Sequence, residues 1–314
     1  MKKTIPQSGT KPLVSIIMPV YNAGKFLVPA IESCINQTYR KIEILLVDDQ
    51  STDNSWKLLQ AYRKKYPHLV RIFQTKEKTN SAGNGAMNYV LPKAKGVYIA
   101  RMDADDIALP KRIEKQVAFL ESHPLTILCG TQALIINKYG KVTGKKSMPA
   151  TNAAIYRAYG IIHPIIHPSV MIRRSMLPDT NKIYAMKWDV NDDYYTFFSL
   201  LQCGQFANIP EYLLKYRIHG NNLSLQNPKE KFMNSVNIRM EAIKKFHYNI
   251  SIDALLIMAI QLTLISLLPE RLIVPLYMAI RGMNSPITAL KKWVIKHASI
   301  HPGNLPKIRY TVNG

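Results

Sequence analysis

Seven of the twenty acidic residues in this 314-residue chain fall in three tight groups: Asp48 with Asp49, Asp103 with Asp105 and Asp106, and Asp192 with Asp193. Elsewhere acid is scarce, because 42 Lys and Arg face 20 Asp and Glu, a formal charge of +22. Carboxylates this close raise one another's pKa unless a cation or hydrogen-bond donors offset them. A bound divalent metal would do so. In Asp103-Ala104-Asp105 the two acids alternate along an extended chain and can point to one side. Hard oxygen ligands of this kind suit Mg²⁺ or Mn²⁺ bridging to phosphates. An isolated DxD triplet is common in turns, but this one ends an apolar run in an acid-poor chain, which favours the metal.

Two further turns carry complementary chemistry. Pro19-Val20-Tyr21-Asn22 offers a planar ring and a short amide beside exposed backbone, suited to stacking on and hydrogen-bonding a base. In DDQSTD, Asp49 could accept from a base or ribose donor, while Asp53 reads first as the cap of the following helix.

These turns need a frame. LVSIIMPV (Leu13 to Val20), IEILLVDD (Ile42 to Asp49), VRIFQT (Val70 to Thr75) and VYIARMD (Val97 to Asp103) are short, β-branched apolar runs. Stretches of helical spacing, such as Lys25 to Asn36 and Asn54 to Tyr66, separate them. The pattern predicts parallel βαβ units with helices on both faces. Ligands of such sheets bind beyond the carboxyl ends of the strands, and all three turns fall there.

Composition narrows the class. With 47% hydrophobic residues the chain can bury one large or two modest cores. The charge excess implies an anionic partner: ligand phosphates, nucleic acid or an anionic membrane. Cys34, Cys129 and Cys203 lack CxxC spacing and fit buried thiols in a reducing cytoplasm. The N-terminus has no signal-peptide pattern. There is no GxGxxG after the first strand, and SAGNGAMN does not follow GxxxxGK[ST], which argues against dinucleotide enzymes and P-loop hydrolases.

Five motifs in order, SIIMPVYNAGKFL, SCINQTYRKIEILLVDDQSTDNS, AKGVYIARMDADDIALPKRIEKQ, HPSVMIRR and NDDYYTFFSLLQCGQFANIPEYLLKYRIHGNNLS, resemble glycosyltransferase family 2, the large inverting family on the GT-A fold. The resemblance runs from about Pro12 to Ser224. It implies that Pro19, Tyr21 and Asp49 hold the base and ribose of a nucleotide, with Asp103 nearer the ribose and Asp105 the direct metal ligand. Asp193 would be the catalytic base and Asp192 would replace the preceding Glu of the family. His219 in YRIHGNN becomes a candidate ligand to metal or diphosphate. Where the family often shows Arg-Asn-x-Gly, only Asn88 matches, beside Met87 and Val90.

Single displacement with inversion follows chemically: a metal at Asp105 neutralises the diphosphate, and Asp193 takes the acceptor proton. His167, in IIHPIIHPSV, reads first as a packing and turn residue, and otherwise, like Asp192 and Trp188, as an acceptor-side candidate. Trp188 reads either as a wall of the acceptor pocket or as core.

The expected organisation is a tail (1–11), a catalytic domain (12–226, with a nucleotide half at 12–106 and an acceptor half at 107–226) and a basic, amphipathic helical region (227–314). In the last region the apolar block Ala254 to Leu268 is shorter than the ~20 residues that span a bilayer. A pair of helices lying in the membrane interface is the expectation, with packing on the domain or in a homodimer as the alternative.

The expected activity is transfer of a sugar, most simply from a UDP-sugar, to a saccharide or lipid-linked acceptor in surface polysaccharide synthesis, on the inner face of the cell membrane. Two other classes stand beside it. A sugar-phosphate nucleotidyltransferase should carry a Gly-rich basic loop after the first strand, which PVYNAGK lacks. A non-catalytic binding module, such as one for nucleic acid, is suggested by charge alone, without the clustered basic and aromatic motif it needs.

Overall fold

In the computed structural model, residues 11–79, 82–220, 222–223, 226–269 and 272–273 are described. β1 (Val14–Val20), β2 (Ile42–Asp48), β3 (Val70–Gln74) and β4 (Tyr98–Arg101) form the first half of one sheet. β1 lies between β2 and β4, β3 flanks β2, and all these pairings are parallel. Every residue of β1 is buried, as expected of a strand covered on both faces. Its side chains alternate: Val14, Ile16, Met18 and Val20 enter one core, Ile17 the other.

The helices follow the sequence periodicity. α1 (Leu27–Ile35) buries Leu27, Ala30, Ile31, Cys34 and Ile35, one stripe of a 3.6-residue repeat. α2 (Ser55–Lys65) ends on Arg63, Lys64 and Lys65, cations at the negative end of its dipole. α3 (Asn84–Val90) returns the chain to β4.

The second half adds β5 (Ile107–Ala108), α4 (Arg112–Ser122), β6 (Thr126–Asn137), β7 (Val142–Lys146), α5 (Asn152–Tyr159), β8 (Met171–Arg173), α6 (Asp192–Leu200) and β9 (Gln205–Ile218). β8 joins β4 antiparallel, β6 joins β8 antiparallel, and β9 runs parallel to β6. The parallel order thus holds for the first four strands, while the sheet as a whole is mixed. Beside α4, the buried Gln116 amide donates to the carbonyls of Cys129 and Ser169, bridging backbone where the strand direction changes.

α7 (Pro228–Phe246) and α8 (Ile252–Leu267) complete the described chain. α7 does not stand apart. Ile238 and Ala242 lie in the same core as Tyr159 and Phe197, and the buried Arg239 donates to the Tyr194 hydroxyl (2.9 Å) and the Ile161 carbonyl (2.7 Å). A division at 226/227 would therefore cut through one core, and the boundary belongs after α7. α8 is apolar almost all round. It packs inward through Ala254 and Met258, and leaves Ile252, Leu256, Ile260, Leu264 and Leu267 exposed along one stripe. No helix among the described residues is long and apolar enough to cross a membrane. The second helix expected of the C-terminal pair lies outside the described residues.

Candidate active site

The carboxyl ends of β1, β2 and β4 open onto one cavity of about 1320 Å³. Pro19, Val20, Tyr21, Asn22, Asp49, Asp103, Asp105, His167, Asp193 and His219 all line it. Residues from three strand ends, one helix start and the end of the last strand thus meet in one space.

On the nucleotide side, the loop after β1 is stitched to the loop after β2. Asn22, in the left-handed region at φ 47°, accepts the Thr52 amide (2.8 Å) on Oδ1 and donates its own amide to Ser51 (3.1 Å). Asp53, one residue ahead of the N-cap Asn54 of α2, accepts the Ser55 amide (2.9 Å) and also the Gly24 amide (3.0 Å). Tyr21 stays nearly half exposed with the Lys78 ammonium 3.8 Å from its ring centroid. Asp49 is buried and accepts from the Thr75 hydroxyl and from both the amide and the hydroxyl of Thr79. Its carboxylate is fixed in place before any ligand arrives.

The acidic cluster is held apart by Arg101 of the preceding strand and by Arg217 and His219 at the end of β9. Arg101, buried at the end of β4, donates to Asp103 (2.8 Å), to Asn84 and to the Ala82 carbonyl. Burial, offset in part by Arg101, raises the Asp103 carboxyl above its usual range, with Asp105 adding to the rise. Asp106 points into the protein, where its Oδ1 accepts the Arg217 amide (2.8 Å). Burial drives its pKa well up, with Asp105 and Asp103 adding to the shift. Asp105 Oδ2 lies 2.9 Å from His219 Nε2, and His219 stacks on Phe26 at 4.9 Å.

These residues fit a divalent cation that shares its shell with a ligand. Octahedral donors at ~2.1 Å stand roughly 3.0 Å apart along an edge, close to the observed spacing of Asp105 and His219. No group of three or more His, Cys, Asp or Glu among the described residues could hold a metal ion by itself. Diphosphate oxygens would have to complete the shell.

Across the cavity, Asp193 stands in the first turn of α6, where the helix dipole favours an anion. Its Oδ1 accepts the Tyr194 amide (2.8 Å), and its Oδ2 lies 3.1 Å from His163 Nε2 and 3.2 Å from His167 Nδ1. Burial alone would raise its pKa, but the two imidazoles, with His163 the stronger, and the amide hold it well below the carboxylate range.

Three expected site residues do other work. Asn88 spends its amide on the Ile183 and Tyr184 amides and the Tyr184 carbonyl, and so fixes a loop instead of lining the cavity. Asp192 is buried and accepts the Lys187 (2.6 Å) and Trp188 (2.7 Å) amides, because its side chain points away from the cavity that Asp193 faces. Trp188 packs on Tyr195, which settles it as partly buried packing, not a pocket wall. His167 moves the opposite way: the expected packing residue sits against Asp193. Arg101, His163 and Tyr184 were missed. The repeated His-Pro dipeptide was the available signal for His163, since it places two imidazoles four residues apart.

Comparison with known proteins bears on the family and the fold. The glycosyl transferase family 2 model matches residues 15–180. EpsE of Bacillus subtilis is 38% identical over 52% of this chain, a match that spans 57% of EpsE itself. An uncharacterized glycosyltransferase of Haemophilus influenzae is 32% identical over 80% of this chain and 79% of its own length. The amylovoran biosynthesis glycosyltransferase AmsE of Erwinia amylovora is 29% identical over 65% of this chain and 76% of AmsE. Among solved structures, S. aureus TarS in complex with UDP aligns with a TM-score of 0.59 at 17% identity, covering 80% of this chain and 71% of TarS 1–349. The mannosyltransferase PcManGT of Pyrobaculum calidifontis, in complex with GDP-Man and Mn²⁺, aligns with a TM-score of 0.55 at 17% identity, covering 96% and 84%. The sheet and its flanking helices define a GT-A fold. The chain belongs to glycosyl transferase family 2.

Proposed function

We propose that this glycosyltransferase is a metal-dependent, inverting enzyme that moves a sugar from a nucleotide-sugar, a UDP-sugar by first choice, to a saccharide or lipid-linked saccharide. The observation that carries the reading is that Asp105 with His219, and Asp193, line one cavity from different walls. Asp105 and His219 would hold Mg²⁺ or Mn²⁺, which when bound neutralises the diphosphate as it leaves. Pro19, Tyr21 and Asp49 would hold the base and ribose. Asp193 takes the proton of the acceptor hydroxyl, the hydroxyl oxygen bonds to the anomeric carbon, and the bond to the diphosphate breaks with its electron pair. One base and one leaving-group site call for no carboxylate nucleophile, which gives inversion in one step. The complexes of TarS with UDP and of PcManGT with GDP-Man and Mn²⁺ support the donor and metal class, and AmsE supports polysaccharide synthesis.

The exposed stripe of α8 and the seven Lys and Arg of residues 251–314 against Asp253 and Glu270 support a peripheral place on an anionic membrane. We place it on the cytoplasmic face, where donor is made.

The test is a panel of sugar nucleotides with Mn²⁺, scored first by protection from thermal unfolding and then by transfer. The product's anomeric configuration is read by NMR. Inversion is expected; retention, or no nucleotide that protects, overturns the reading.

A further inference from the structure

Asp193 is held unequally at its two oxygens. Oδ2 faces both His163 Nε2 and His167 Nδ1, whereas Oδ1 receives a single amide. The remaining nitrogens decide where the ring protons sit. His163 Nδ1 accepts the Ile165 amide at 3.3 Å, so in the neutral ring the proton is on Nε2, toward Asp193. His167 Nε2 lies 2.7 Å from the Tyr184 hydroxyl. Burial, and then the Arg101 charge, keep the His167 ring neutral. With Tyr184 donating to Nε2, the His167 proton is on Nδ1, again toward Asp193. Each ring thus has a polar neighbour at both nitrogens, with His163 Nε2 at 3.1 Å and His167 Nδ1 at 3.2 Å from Asp193 Oδ2, the His163 contact being close without hydrogen-bond alignment.

We propose that His163 and His167 are positioning residues that fix Oδ2 of Asp193, leaving Oδ1 as the oxygen that takes the acceptor proton, with Tyr184 setting the tautomer of His167. The other charged or titratable groups around the site are Arg101 and Asp103 from β4 and the turn after it, Tyr159 from α5, Tyr194 from α6 and Arg239 from α7. The inference rests on Asp193 being the base, and it goes further in naming which oxygen reacts and what holds the other.

The test uses amide replacements that restore one N–H at the right place. An Asn amide nitrogen stands near the former Nδ1, and a Gln amide nitrogen near the former Nε2. His167→Asn and His163→Gln should therefore stay within about threefold of wild-type kcat, while His167→Ala and His163→Ala should each lose about tenfold, the order seen when groups that orient a reacting ligand are removed. Donor KM should not change. In the Ala variants the acid limb of the kcat profile should rise by about one pH unit or more, because an anion that loses N–H donors binds a proton more readily.

An unmoved acid limb in both Ala variants overturns the proposal, as does equal damage from the Asn, Gln and Ala replacements. Tyr184→Phe, which keeps the ring, should lower kcat without moving the melting temperature by more than a few degrees. Unchanged kcat there removes the tautomer argument and counts against the proposal even if an Ala variant fails to fold. Asp193→Asn is the separate arm: normal turnover in that variant sinks the base assignment itself, whatever the histidine variants do.

Discussion

Asp105 Oδ2 and His219 Nε2 stand 2.9 Å apart although 114 residues separate them in the chain. β9 makes the meeting possible. It runs from Gln205 beside β6 to Ile218, and Arg217 near its end donates from Nε to the Asp105 carbonyl at 2.6 Å. The pair is thus set by backbone, not by two flexible side chains finding each other.

Nucleotide binding should require both partners and metal. Calorimetric titration of UDP and GDP with Mn²⁺ should show Asp105→Ala losing the metal-dependent part of the affinity. His219→Ala should weaken binding about tenfold or more. Equal affinities with and without Mn²⁺, in wild type and variants alike, would remove the metal role.

Asp193→Asn keeps the shape of the base but not its basicity. Donor binding should persist while transfer falls ~10²-fold or more. Turnover near wild type would place the base elsewhere in the cavity.

The pH dependence of stability should report His167. Its folded pKa lies well below the ordinary 6.5, so below that pH the unfolded chain binds the extra proton. Stability should be level above about pH 6.5 and fall as pH drops beneath it, by up to ~1.4 kcal/mol per unit. Urea unfolding between about pH 7 and pH 5 should show His167→Asn flattening this slope. Parallel slopes would mean that the ring is charged in the folded state.

Gly130 tests the packing behind the site. A Cβ there would meet Asn208 Oδ1 at 2.3 Å, and Asn208 cannot swing aside without losing its bonds to the Pro149 and Pro164 carbonyls. Gly130→Ala should cost about 1–3 kcal/mol, measured by thermal unfolding, and should also lower kcat, because Pro164 follows His163. A neutral result would show that Asn208 repacks freely.

The membrane reading is tested after α7. A chain ending at Ile250 keeps Arg239 and the α6–α7 core, and should stay folded and bind nucleotide. The full chain should sediment with anionic liposomes at low salt and partly release at high salt, each basic residue near the surface adding ~1 kcal/mol. Full-length protein that ignores liposomes, or dimerises through α8, would make the stripe a protein contact.

The first four strands and the three turns were legible because a buried parallel strand writes itself as a continuous apolar run, and its ligand-side end as the polar residues that follow. Asp105 could be singled out for the same local reason, whereas Asp193, at a helix start, was proposed from the family resemblance alone. Asn88 and Asp192 could not be separated from functional polar residues, since whether a carboxamide or carboxylate faces a cavity or a loop amide depends on chain brought from elsewhere. Arg101 looked like one more residue of a strand. Only the path of the 82–84 loop shows that its guanidinium stands behind Asp103. The cut at 226/227 failed because a basic helix pattern does not reveal that Arg239 is buried.

β9 also limits how this enzyme can change over generations. Asn208 near its start holds the Pro164 carbonyl beside His163 and Arg217 near its end holds the Asp105 carbonyl, and successive residues of a strand alternate faces. Beyond the register shifts that β9 already carries near Tyr212, one further inserted or deleted residue between them would turn one set away from its partners. The turn 138–141 at the tip of β6 and β7, with Tyr139 exposed, carries no such coupling. Changes of length are therefore more readily absorbed in connections like this one than in the strand that holds both sets of contacts.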